Sequence, residues 1–357
     1  MRLHRAGVSL VLCLALAACA TTPPASSPSS VGPSDAPATQ EPGASGSAST
    51  GEVDKTKTTY GYTSSPSMDS LPYLVAIKAM ADSGYDISLQ QLASNDLGLA
   101  ALATNQIQMW GTGPVEWSRV VGQAPIKLIT ARANNGWQLI ATADVTNCAQ
   151  LDGQKLGLFN LTGISTAYPM AYFQQNCPDM KPDIVLIPDS GLRAQAMAAD
   201  ELKATPLQAD DAVKLLNEYP GKFKVLANFS QDLSEIGRDY VGTNTTTLDQ
   251  HPSILREFIK QHLLAIRSFY ADPAVAIAAA EANLEVGDDA ELVTNFFIDQ
   301  KLWCANGGLE DGNLASTLTY FGEFGLMEKG LSAANFLAPG PLTEVLAEIG
   351  QSDATEC

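Results

Sequence analysis

Histidine is almost missing from this chain: three residues in 357, namely His4, His251 and His262. Beyond the leader only His251 and His262 remain, and neither has a cysteine or a carboxylate cluster nearby in sequence. A catalytic base or metal site built on them therefore lacks partners. His251, next to Pro252, reads as a helix start. No Gly-Lys-Ser/Thr phosphate loop is present, and no Gly-x-Ser-x-Gly nucleophile elbow. Gly111-Thr112-Gly113 runs into Pro114-Val115-Glu116, so the third glycine of a dinucleotide fingerprint is absent too. Basic residues are scarce, 21 Lys and Arg against 39 Asp and Glu, for a net charge of −18. That excludes nucleic acid, whose phosphates would be repelled, and it excludes anionic lipid as a partner of the globular part. The acidic surface reads as a means of solubility. Cysteine is sparse as well, and none of the six forms a close pair, so a zinc knuckle or thiol redox motif is unsupported. After residue 18 every apolar run is short and broken by charge, which leaves no second membrane span to propose.

What is present begins at the N-terminus. Met1 to Arg5 carries two arginines, and Ala6 to Ala18 is an uninterrupted small and apolar run, the pattern of a secretory signal. Leu16-Ala17-Ala18-Cys19 resembles a bacterial lipobox. Residues 1–18 are then a lipoprotein signal peptide, and Cys19 is the lipid-modified first residue of the mature chain; an ordinary cleaved signal is the plain alternative. Residues 19–57 are Ser, Pro, Thr, Ala and Gly with almost nothing to bury, and are expected to form a disordered tether with a reach of roughly 30 Å. Four cysteines follow it, in a compartment that permits oxidation. Three connectivities exist, and Cys148 with Cys177 and Cys304 with Cys357 is the favoured one.

The rest alternates strand and helix. Strands are expected at Thr58 to Tyr62, Ile87 to Leu92, Ile107 to Trp110, Ile126 to Thr130 and Trp137 to Ala143. Helices are expected at Met68 to Ser83, from a cap at Asp96 to Ala103, and after Pro114. A second block has strands at Lys155 to Phe159, Ile184 to Ile187 and Phe223 to Ala227, with helices after Thr166 and Asp189. From Ser253 onward the pattern is helical, with helices expected at Ile254 to Tyr270, Ala274 to Leu284, Glu291 to Lys301, Leu314 to Phe324 and Leu342 to Ile349. This is the rhythm of an α/β protein with a helical return.

In open α/β sheets ligands bind beyond the carboxyl ends of strands. Three loops rich in Gly, Ser and Thr fall there: 63–67, 111–114 and 162–166. Each leads into a helix whose free N–H groups favour a negative or polar ligand. Gly111 and Gly113 would let backbone approach a small solute, with Pro114 setting the next helix. Arg132 and Arg193 are the cations nearest these loops, and Trp110, Trp117 and Trp137 cluster around them. Trp137 is the better ligand candidate, and Trp110 at a strand end reads as core.

"YLVAIKAMADSGY" (73–85), "LGLAALATNQIQMWGTGPVEW" (97–117) and "LDGQKLGLFNLTGISTAY" (151–168) together resemble the solute-binding lipoproteins of ABC transporters, in the nitrate, sulfonate and taurine group. The resemblance implies a type II periplasmic-binding-protein clamshell of two α/β lobes, with lobe 1 at 58–137 and 238–357 and lobe 2 at 138–237. It implies no catalysis and no cofactor. The partners would be a small organic anion or an aromatic or heterocyclic solute, together with a permease and its ATPase. The protein would be monomeric and lipid-anchored on the extracytoplasmic face, closing about the strands near Gly136 and Asp239. Carried over by position, ligand contacts fall at Ser64, Ser65, Gly111, Thr112, Gly113, Asn135, Trp137, Thr162, Ser165, Thr166 and Asp189, with Arg132 as an anion contact. Ala204-Thr205-Pro206-Leu207-Gln208 departs from the group, which often has an acidic residue before this proline. A sensory lipoprotein or an exported enzyme on the same scaffold are the other readings.

Overall fold

Ten strands are present among the described residues: β1 (Thr58–Tyr62), β2 (Ile87–Gln91), β3 (Met109–Thr112), β4 (Ile126–Ala133), β5 (Trp137–Thr142), β6 (Lys155–Leu158), β7 (Asp183–Leu186), β8 (Ala204–Gln208), β9 (Phe223–Asn228) and β10 (Asp239–Asn244). They form two five-stranded sheets, ordered β2-β1-β3-β10-β4 and β7-β6-β8-β5-β9. In each sheet three neighbouring strands run parallel and a fourth lies antiparallel beside them, β10, which follows its parallel set in the chain, in the first and β5, which precedes it, in the second. The two sheets thus share one plan, the two-lobe α/β clamshell. The computed structural model describes residues 53–120, 124–161, 163–309 and 312–357, so the expected signal peptide (1–18), Cys19 and Thr162 lie outside the described residues. Order begins before residue 58: Asp54 Oδ2 lies 3.1 Å from His251 Nδ1 and takes the Ser253 hydroxyl at 3.3 Å, which shortens the expected tether.

Local sequence explains most elements. β1 is Thr-Thr-Tyr-Gly-Tyr at the centre of its parallel set, and four of its five residues are buried, as expected of a strand covered on both faces. β2 lies at the sheet edge and buries only Ile87. The helix Leu71–Asp82 begins with Pro72 in its first turn, where a missing N–H costs nothing. It buries Leu71, Tyr73, Leu74, Ile77 and Met80 on one stripe and packs against the helix Pro252–Ala271, which answers with Leu255, Phe258, Ile259 and Leu263. Tyr73 stacks on Tyr60 of β1 at 4.5 Å, and Phe258 packs on the same ring at 5.6 Å, so sheet and both helices share one core. Truncating Phe258 to alanine there would cost about 3–5 kcal/mol.

Several elements differ from the sequence reading. The cap at residues 94–97 is Ser94, whose hydroxyl accepts from Leu97 N at 3.3 Å; Asp96 sits in the first turn and pairs with Arg119 at 2.9 Å. β3 extends through Gly111 and Thr112, so the Gly-Thr turn is partly strand. β8 and the helix Ala209–Glu218 were not expected, because Pro206 reads as a strand breaker. It is tolerated because β8 pairs with β6 only at Leu156 and Ala204, so no ladder bond is lost at Pro206 on that side.

The chain crosses between the sheets twice, at residues 134–136 and 229–238. Side chains tie the crossovers together: Asn135 Nδ2 donates to Phe229 O at 2.9 Å, and Arg238 Nε donates to Asn134 Oδ1 at 2.7 Å. The C-terminal segment covers the edge of β4, with Leu128 N donating to Phe336 O and Ala338 N to Leu128 O. Disulfides join Cys148 to Cys177 and Cys304 to Cys357. No described helix is long and apolar enough to cross a membrane.

Candidate functional site

A cavity of about 450 Å3 opens at the carboxyl ends of the parallel strands of both sheets. The loop after β1 contributes Ser64 and Ser65, and the end of β3 contributes Gly111, Thr112 and Gly113. The helix Ile164–Asn176, which follows β6, contributes Ser165 from its first turn, and the loop after β7 contributes Asp189. Trp137, the first residue of β5, forms one wall with Phe159 and Ile164. The glycines serve protein neighbours as well as any solute. A Cβ on Gly111 would lie 2.5 Å from the Tyr60 hydroxyl, and one on Gly113 would lie 3.0 Å from Ile164 across the cavity.

Two expected contacts are used otherwise. Asn135 is 4 % exposed, does not line this cavity, and spends its amide on Phe229 O and on the backbone N–H of Trp137. Thr166 is also absent from the lining and donates its hydroxyl to Asn160 O at 2.5 Å. Both residues tie backbone beside the cavity, Asn135 to Phe229 and Trp137 and Thr166 to Asn160. Trp110 and Trp117 are core, packed edge to face at 5.2 Å, with the Trp117 indole N–H donating to Thr112 O at 3.0 Å.

Arg132 faces the cavity from β4 without being free for an anion. Its Nη2 lies 2.6 Å from Asp69 Oδ2 and 2.5 Å from Asp239 Oδ2, and the two carboxylates hold its guanidinium firmly protonated against the cost of burial. Burial also pushes the Asp239 carboxyl upward, against the pull of Arg132. Arg193 is fully buried; Nε donates to Pro206 O and Nη1 to Ile187 O, and the guanidinium lies 6.0 Å from the Trp137 ring centre. Burial lowers its pKa to about 10, with Asp211 and Asp189 pulling the other way.

The expectation of an anionic solute rested on open helix N-termini; three of those at the cavity carry the chain's own carboxylates, and that of Ile164–Asn176 has no acid in its first turn. Asp189 caps the helix Ser190–Ala198 by accepting from Leu192 N at 2.9 Å. Asp210 and Asp211 occupy the first turn of Ala209–Glu218, and Glu116 that of Pro114–Ser118. Side chains there already meet the positive end of each helix. Glu116 Oε1 accepts from Asn95 Nδ2 at 3.0 Å, and Asn95 in turn accepts from Thr63. Burial, with Asp239 adding to it, pushes the Glu116 carboxyl up to about 7. Asp210 is likewise raised, by burial and then by Asp211. Sequence reasoning passed over Glu116, Asp210 and Asp211, although the acidic pair in "LQADDAVKLL" and the acid two residues after Pro114 were visible signals.

His262 is buried with Nε2 3.2 Å from Ala131 O, and burial lowers its pKa to about 4, so it is a neutral core residue. Among the described residues no group of three or more His, Cys, Asp or Glu is placed to hold a metal ion.

The sequence matches no family model, and no curated protein matches it. Solved structures do match in three dimensions. The ligand-binding component of an ABC-type import system from Staphylococcus aureus, with zinc bound, superposes with a TM-score of 0.64 at 12% identity, over 81% of this chain and 98% of that one. The chain has the periplasmic-binding-protein fold. The periplasmic nitrate-binding protein NrtA from Synechocystis PCC 6803 gives a TM-score of 0.65 at 9% identity over 83% and 90% of the two chains. The periplasmic aliphatic sulphonate binding protein SsuA from Escherichia coli gives 0.58 at 15% identity over 79% and 92%. These neighbours are binding proteins of periplasmic-binding-protein type, and at such identities the likeness establishes the fold. In that fold the crossovers 134–136 and 229–238 are the segments that join one lobe to the other.

Proposed function

We propose that this chain is the extracytoplasmic solute-binding component of an ABC importer, which takes up one small solute between two lobes and presents it to a permease and its ATPase. The observation that carries the reading is the cavity of about 450 Å3 at the strand ends of both sheets, a volume suited to a small metabolite. Lobe 1 comprises residues 58–137 and 238–357 and lobe 2 residues 138–237, with Trp137 at the boundary. The lobes close about the tied crossovers, and contacts made only in the closed state favour closure. The solute meets Ser64, Ser65, Gly111 to Gly113, Trp137, Ser165 and Asp189. Binding without chemistry is the whole activity. Cys19 carries the lipid, so a monomer sits on the outer face of the membrane at the end of its tether.

A thermal-shift screen of the full chain tests this, with sulfonates, carboxylates, nitrate, neutral heterocycles and amines as solutes. The expected result is a saturable rise for one class. At a hundredfold excess over Kd the stabilisation is about 2.7 kcal/mol, a shift of a few degrees for a protein of this size. Trp137→Ala should move the response to higher solute concentration. A flat response to every class would sink the proposal.

A further inference from the structure

The lining of the cavity contains six carboxylates against three cations, so it is negative before any solute enters. Arg132 does not restore the balance, because Asp69 and Asp239 already share it. Two of the carboxylates also have acceptor atoms for which the described residues supply no donor. Glu116 is 2 % exposed and Asp210 is 6 % exposed, both line the cavity, and Glu116 Oε2 and Asp210 Oδ1 have no hydrogen-bond partner among the described residues. A buried acceptor left unmet carries the full desolvation cost of its group, and a charged one carries more. Glu116 belongs to the half built on the first sheet and Asp210 to the half built on the second. Closing the lobes with nothing between them would bring like charges together.

Resting on the solute-binding reading, we propose that the solute is a small organic cation, a protonated amine or amidine whose N–H donors reach Glu116 Oε2 and Asp210 Oδ1. The cation is organic rather than a bare metal ion, because no three metal-ligating side chains converge among the described residues. Trp137 offers a flat face for the body of such a molecule. Arg193 Nη2, buried in the same lining and unpartnered, takes an acceptor atom at the solute's other end. Of the helix N-termini at the cavity, which would otherwise draw an anion, those of Ser190–Ala198, Ala209–Glu218 and Pro114–Ser118 carry Asp189, Asp210 and Glu116, while that of Ile164–Asn176 carries no acid. Because burial holds the Glu116 proton up to about pH 7, cation capture releases a proton near neutrality.

Titration calorimetry on the full chain decides the matter. Benzamidine and benzenesulfonate share a ring and differ in charge; 4-carboxybenzamidine, whose carboxylate offers Arg193 an acceptor, and nitrate extend the pair. A cationic probe should bind saturably, tightening by up to about tenfold per pH unit below neutrality and levelling off above it. Heats that depend on the buffer's ionisation enthalpy should report proton release, a readout that needs no variant. Glu116→Gln and Asp210→Asn should each weaken binding by about tenfold or more. If the broader thermal-shift screen finds an anionic or neutral solute while both amidine probes fail, the inference is overturned and the solute-binding reading stands. If that screen finds no solute of any charge, both fall.

Discussion

Glu116→Gln tests the electrostatics of the cavity without any solute. In the empty protein the Glu116 carboxyl is fully buried, one oxygen meets Asn95, the other meets nothing, and Asp239 lies close enough to repel it. Its pKa therefore rises from 4.5 in the unfolded chain to about 7 in the fold. Between those values the folded state holds a proton that the unfolded state has lost, so this contribution is fully present below 4.5 and is lost as pH rises through 7. By pH 8 this displacement of the proton equilibrium corresponds to a penalty of about 3 kcal/mol, at roughly 1.4 kcal/mol for each factor of ten. Glutamine keeps the acceptor for Asn95 and has no charge to desolvate. The variant should match the parent near pH 4.5 and exceed it at pH 8 by about 3 kcal/mol, a rise of roughly 5 °C in Tm. Chemical denaturation from pH 4.5 to 8.5 measures this directly. Equal stability curves, or a variant less stable than the parent at pH 8, would refute the claim that this carboxylate is held at a cost. The predicted gain would accompany lost solute affinity, the trade expected where a binding site is stored as local instability.

Arg132→Met should destabilise the fold by about 3–5 kcal/mol, because it strands Asp69 and Asp239 as buried unpaired carboxylates. Adding Asp239→Asn should recover part of that loss in urea denaturation; no recovery would mean that packing, not charge, sets the effect. Cys357→Ser opens a loop of 53 residues between Cys304 and the chain end and should cost about 4 kcal/mol in the chain-entropy account, read as a lower urea midpoint.

Much of the α/β framework is local and therefore legible. β1 is found at the expected Thr58–Tyr62, and the expected starts of the five late helices lie within two residues of the observed ones, because apolar period and Pro, Asp and Asn signals set them within a few residues of chain. β8 was not assigned as a strand, and β10 was expected only through the resemblance, as a strand near Asp239. Pro206 masks the first, and the second pairs β3 with β4 from more than a hundred residues away, a pairing no local window can hold. The cavity was legible in part for the same reason. Loops at strand ends announce themselves through Gly, Ser and Thr, so Ser64, Ser65, Gly111 to Gly113, Ser165 and Asp189 could be placed in the lining. Asn135 and Thr166 carry the same residue chemistry but turn to backbone partners, a choice made by neighbours distant in sequence.

By itself the sequence determined what depends on composition and short spacing: a strongly acidic net charge, alternating strands and helices, and hydroxyl-rich turns. The tertiary structure alone decided the charge of the cavity. Arg132 looks like a free cation until Asp69 and Asp239, 63 and 107 residues away in the chain, are found on its guanidinium, and Glu116 looks like a solvated helix residue until burial removes its water. Desolvation and pairing belong to the space around a group, and that space is filled by residues brought together only when the two sheets fold.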